Sequence, residues 1–166
     1  YVSKNSAPRE VYASKLSGSF RKSHVQNLFR GSGTFVASKP NSMQALIVDE
    51  AHRLNEKSGL YGNLGENQIK EIISATTCAI FFIDEDQRVT LDDIGTREEI
   101  IAQAKVLGAR VHELALASQF RCSGSDGYLA FLDDALQIRE TANRTLSRAD
   151  YDLRVYDDPL AMHDEV

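Results

Sequence analysis

Several things are scarce in these 166 residues, and each scarcity closes off a class of protein. Two cysteines, Cys78 and Cys122, cannot build a disulfide framework, which points to a reducing, cytoplasmic setting. Cys78 lies beside an apolar run and reads as a small core residue. No apolar run approaches the roughly 20 residues that cross a bilayer, and no signal peptide is visible in these residues. A formal net charge of −5 argues against coating nucleic acid by bulk charge, although it permits a local basic groove. No Gly-Lys-Ser/Thr step occurs anywhere, so Gly31 and Gly33 do not form a phosphate cradle.

What remains is an ordinary globular composition, 42% apolar and 26% charged, in a length that suits one domain with a sizeable core. Its organising stretch is 45–52, Ala-Leu-Ile-Val-Asp-Glu-Ala-His. A short uninterrupted apolar run suits a strand buried on both faces of a parallel sheet. Asp49 and Glu50 would then emerge at the carboxyl edge, where open α/β folds bind ligands. A second run, 79–83, also ends in acids, Asp84, Glu85 and Asp86, followed by Gln87. A third, 111–116, is followed by Gln119, Phe120 and Arg121.

Between these runs the pattern is helical. Tyr1, Val2 and Ser3 read as the end of a strand. Ser6 is placed to cap a helix with Pro8 in its first turn, Val11, Tyr12 and Leu16 inward, and Gly18 at its end. Residues 20–30 repeat the pattern, with Val25, Leu28 and Phe29 on one side and Arg21, Lys22, His24 and Arg30 on the other. The plainer reading of that basic side is a solvated face, the sharper one a phosphate-contacting patch. Residues 53–66, with three glycines, read as a mobile loop, and 87–95 as an exposed one. Residues 67–76 form a helix with Ile69, Ile72 and Ile73 inward. Thr96 and Glu99 match a capping box before a helix that buries Ile100, Ile101 and Ala104 and stops at Gly108. Leu129, Leu132, Leu136 and Ile138 mark a further helix and read as core. A last strand is expected at 151–156, before an acidic tail. The NTPase-like domain is thus expected over 1–150, with 151–166 leading out of it. Such alternation implies a mostly parallel sheet with helices on both faces.

Hydrolysis of a nucleoside triphosphate needs a metal-holding acid, a group to orient water and cations for the γ-phosphate. Asp49 and Glu50 suit the first two roles; the plainer alternative is that two acids after a strand cap the next helix. Asp49-Glu50-Ala51-His52 resembles the D-E-A-H box, the second (Walker B) helicase motif. The run ending in Asp84-Glu85-Asp86-Gln87 is similar to the third motif of first-superfamily helicases, and Gln119-Phe120-Arg121 to the fourth. Ser3-Lys4-Asn5-Ser6-Ala7 is similar to their element that touches single-stranded nucleic acid. The ordered set looks most like the bacterial relatives of the Schlafen group-three DNA/RNA helicase domain, over 1–156.

That resemblance implies an α/β, three-layer RecA-like P-loop NTPase fold and a motor core that hydrolyses ATP with magnesium while binding DNA or RNA. It implies that Asp49 holds magnesium through water and Glu50 activates water. Gln87 senses the γ-phosphate with His52 as partner, Arg121 reaches the γ-phosphate, and Gln119 joins the nucleotide site. Ser3 and Asn5 touch the nucleic-acid backbone. In the family a phosphate loop and a central strand precede the Tyr1 strand, and an arginine finger comes from a second domain. The chain opens at Tyr1 rather than Met, so a piece of a longer protein is expected, binding ATP weakly by itself and leaving the 111–116 strand with an open edge. The alternative expectation is a degenerate, non-catalytic helicase-like module that binds nucleic acid or a protein.

Overall fold

The computed structural model describes residues 1–59, 61–116, 126–142, 145 and 153–165. It divides into two compact units, Tyr1–His112 and Glu113–Val166. The first contains β1 (Val2–Ser3), α1 (Ser6–Leu16), α2 (Lys22–Leu28), β2 (Arg30–Gly31), β3 (Met43–Val48), α3 (Gln68–Ala75), β4 (Thr76–Phe81) and α4 (Arg97–Val106). The four strands are all parallel, in the order β2-β1-β3-β4. Helices flank this sheet, giving the α/β, RecA-like three-layer class.

The alternation of side chains along β3 explains the layers. Leu46 and Val48 are buried with Ile69 and Ile72 of α3, Val2 of β1 and Phe35 in one core cluster. Tyr1 and Ser3 point the other way from Val2, and there Tyr12 of α1 meets Tyr1 edge-on at 5.5 Å and stacks on Phe29 at 5.7 Å. Over β3 and β4 that second face is open: Ile47 is 44% and Ile80 45% exposed, and they are register partners. The expectation of burial on both faces therefore fails here. Cys78 pairs in register with Ala45 on the open face and is exposed rather than core.

The helix signals in α3 and α4 are read well by their caps. Asn67 accepts from the Ile69 and Lys70 N–H groups, and Thr96 from that of Glu99. The reciprocal half of the capping box is not made. Glu99 instead accepts from Asn67 Nδ2 (2.8 Å) and Gln103 Nε2 (2.9 Å), so its carboxylate ties α4 to the cap of α3. Asn5, not Ser6, occupies the N-cap position of α1, and no residue of α1 is buried, with Val11 and Tyr12 half exposed.

Five further expectations are corrected. Arg30–Gly31, read as helix end and loop, is the short edge strand β2. Residues 111–116 form no strand: Leu114 is 96% and Leu116 82% exposed. An apolar run becomes a strand only where a neighbour offers its backbone, and no described strand pairs with this one. In the second unit, residues 153–156 form no strand, the expected tail contains α6 (Pro159–Glu165), and α5 (Asp126–Ala135) ends before Leu136 and Ile138, which like Leu129 are exposed rather than core. Among the described residues, no helix is long and apolar enough to cross a membrane.

Candidate nucleotide-binding edge

β3 delivers Asp49 to the carboxyl edge, where its N–H donates to the Val2 carbonyl at 2.9 Å. Both carboxylate oxygens are engaged. Oδ1 accepts from the Glu50 N–H at 3.0 Å and Oδ2 from the Tyr1 hydroxyl at 2.6 Å. Burial, then the hydrogen bond to Asp49 and its charge, hold the Tyr1 phenol well above its ordinary value. Glu50 sits at φ 48°, ψ 46°, a left-handed conformation uncommon for a residue with a side chain. Glu50 is partly exposed, and its carboxylate has no hydrogen-bond partner among the described residues.

The next turn, Ala51–Arg53, joins this motif to the end of β4. The Ala51 N–H donates to the Phe82 carbonyl at 2.8 Å. The buried His52 accepts the Asp84 N–H on Nδ1 at 3.1 Å, which leaves a neutral ring its proton on Nε2. Asp84 in turn accepts Gln87 Nε2 on Oδ2 at 2.7 Å and the Asp86 N–H on Oδ1 at 3.2 Å. Residues 49–52 and 84–87 therefore converge on one rim. The expected His52–Gln87 partnership is indirect, because Asp84 stands between the two side chains.

The two loops are tied together at 54–55 and 93–95, while residues 87–92 are exposed as expected. Asn55 and Asp93 form an antiparallel bridge, and the Ile94 N–H donates to the Leu54 carbonyl at 2.7 Å. A Cβ at Gly95 would lie 1.8 Å from the Ala51 carbonyl oxygen, so only glycine allows this approach. Asp93 is wholly buried; its Oδ2 accepts the Val89 and Thr90 N–H groups at 3.0 Å, and its Oδ1 accepts Lys4 Nζ at 3.2 Å. Burial pushes the Asp93 carboxyl up, but those donors outweigh it and hold the group well below the usual carboxylate range. Arg88 adds two bonds to the Asp93 carbonyl, at 3.1 and 2.7 Å.

Sequence reasoning missed the Tyr1–Asp49 and Lys4–Asp93 pairings. Lys4 was read only as part of the Ser3–Ala7 element, and no local signal announces partners 48 or 89 positions away. Of the two residues expected to touch nucleic acid, Ser3 is buried and its hydroxyl donates to the Asn5 carbonyl at 3.2 Å. Asn5 is exposed, and its side chain makes no cap bond. Gln119 and Arg121 lie outside the described residues. No group of three metal-ligating side chains occurs among the described residues.

The family model for the Schlafen group 3, DNA/RNA helicase domain, matches residues 1–166. No curated protein and no solved structure matches.

Proposed function

The chain belongs to the Schlafen group 3, DNA/RNA helicase domain family, and from that premise we propose that it forms part of a nucleic-acid-dependent ATPase, a helicase or translocase motor core. The observation that carries the reading is the shared rim of Asp49-Glu50 and Asp84–Gln87, bridged by buried His52. The chemistry fits magnesium, which takes one or two carboxylates and keeps several waters rather than sitting in a protein cage. Asp49 would hold the ion, which when bound neutralises charge on the terminal phosphates.

Glu50 is partly exposed and its carboxylate lacks a described partner, as suits a group that orients water. Gln87 reports on the γ-phosphate through Asp84 to His52. Arg121 and Gln119 take their roles at the γ-phosphate and in the nucleotide site from the resemblance, and Asn5 supplies the nucleic-acid contact. A Gly-Lys-Ser/Thr loop, absent from these 166 residues, has to come from elsewhere in the protein. The free Cys78 thiol accords with a cytoplasmic setting.

In a protein that joins this chain to such a loop, Glu50→Gln should lower nucleic-acid-stimulated ATP hydrolysis by about 10²–10⁴-fold. An unchanged rate rejects the motor reading. The second reading, a non-catalytic nucleic-acid-binding module, is favoured by one observation: Tyr1 already occupies Asp49 Oδ2. Under it, nucleic-acid affinity is indifferent to ATP and magnesium.

A further inference from the structure

Charge is distributed unevenly along this chain. Residues 1–42 hold seven lysines and arginines against the single acid Glu10, a formal +6; since the whole chain carries −5, the remainder carries −11. The basic stretch folds into α1, α2 and the flank of the sheet at β1 and β2, which lead the chain from the carboxyl end of β1 to the amino end of β2. Within it, the turn between α1 and α2 is held by the Ser19 and Phe20 N–H groups, both donating to the Leu16 carbonyl at 3.2 and 3.3 Å, and by Gly18 at φ 102°.

That turn displays Phe20, 54% exposed, with its ring stacked on His24 at 5.9 Å and an interplanar angle of 19°. Arg21 and Lys22 lie beside the ring in sequence and are exposed. Val25 is the one buried residue of α2 and anchors that helix. The part of the Phe20 ring left in water gains nothing for folding. Flanked by cations, it has the two parts of a single-strand platform: a π-face for an unpaired base and charges for the phosphates on either side.

We infer that the α1–α2 turn is a docking surface for single-stranded nucleic acid. The Phe20–His24 stack takes a base, and Arg21 and Lys22 take adjacent phosphates. The inference shares its ligand class with the proposed function but does not depend on ATP hydrolysis. The occupant is a single strand rather than a duplex because bases locked in a duplex cannot reach an exposed ring face.

The test is anisotropy of a labelled thymidine oligonucleotide of about 16 nucleotides, bound to the 166-residue chain without nucleotide across a salt series. Arg21→Gln and Lys22→Gln should each weaken binding and reduce the log–log salt slope by about 0.7. Phe20→Ala should weaken it about fivefold or more with the slope unchanged. Lys39→Gln, an exposed lysine of the same basic stretch, is the control and should leave affinity within about twofold, as expected of a charge that neutralises no phosphate. All four side chains are exposed, so circular-dichroism melts should match the parent chain. The inference is overturned if the Phe20, Arg21 and Lys22 variants behave like the control, or if the parent chain does not bind the oligonucleotide. It is also overturned if a duplex binds as tightly with Phe20→Ala silent, or if polyglutamate competes equally well against the parent chain and Phe20→Ala. Failure here with a Glu50-dependent ATPase intact rejects the surface alone.

Discussion

Glu50 holds a backbone conformation that costs an L-residue with a side chain about 1–2 kcal/mol. A strained position beside a charged motif is where catalytic geometry is commonly stored. Glycine relieves that strain and alanine does not, so Glu50→Gly should be more stable than Glu50→Ala by about 1 kcal/mol in urea denaturation. Asp93 makes the complementary argument about pH. Its carboxyl lies below the ordinary value in the folded chain, so its contribution is complete above the unfolded value of 3.8 and is lost as pH falls through the folded one. Asp93→Asn should cost about 1–3 kcal/mol at neutral pH. It should also flatten the fall in urea midpoint on the acid side of that value.

At the scale of elements, the rim depends on two loops locked against each other. Gly95→Ala drives a Cβ into backbone at Ala51 and should cost about 1–3 kcal/mol or more, read as a lowered melting temperature. His52→Leu leaves the Asp84 N–H without its acceptor and should cost about 1–3 kcal/mol. His52→Asn, whose amide oxygen can accept the same proton, should recover part of that loss. These loops also mark the limit of what sequence declares. β3, α3 and α4 were legible because period and caps are local signals, as were the acids at the ends of β3 and β4. The lock between Asn55 and Asp93 was not, because glycine-rich polar stretches look alike whether tied down or free. The 111–116 run was misread for the opposite reason. Its pattern is that of a strand, but pairing is a property of neighbours.

For the whole molecule, the core cluster draws all its buried members from Val2 to Ala75, with Ile94 and Ile100 packed against it. Among the described residues of Glu113–Val166 none is buried. A chain ending at His112 should therefore keep a single cooperative urea transition, with a midpoint close to that of the full length. The charge pattern is likewise a property of the whole, invisible in a net figure that averages a basic flank with an acidic remainder.

One further property joins a residue to the entire chain. There is no tryptophan among the 166 residues, so ultraviolet emission arises from six tyrosines. A phenol whose hydroxyl donates to a carboxylate is quenched, and Tyr1 donates to Asp49. A cation taken up at that acid has to share or dislodge the proton, and Tyr1 would brighten as it did. The protein thus carries its own lamp, wired to the acid proposed to hold magnesium.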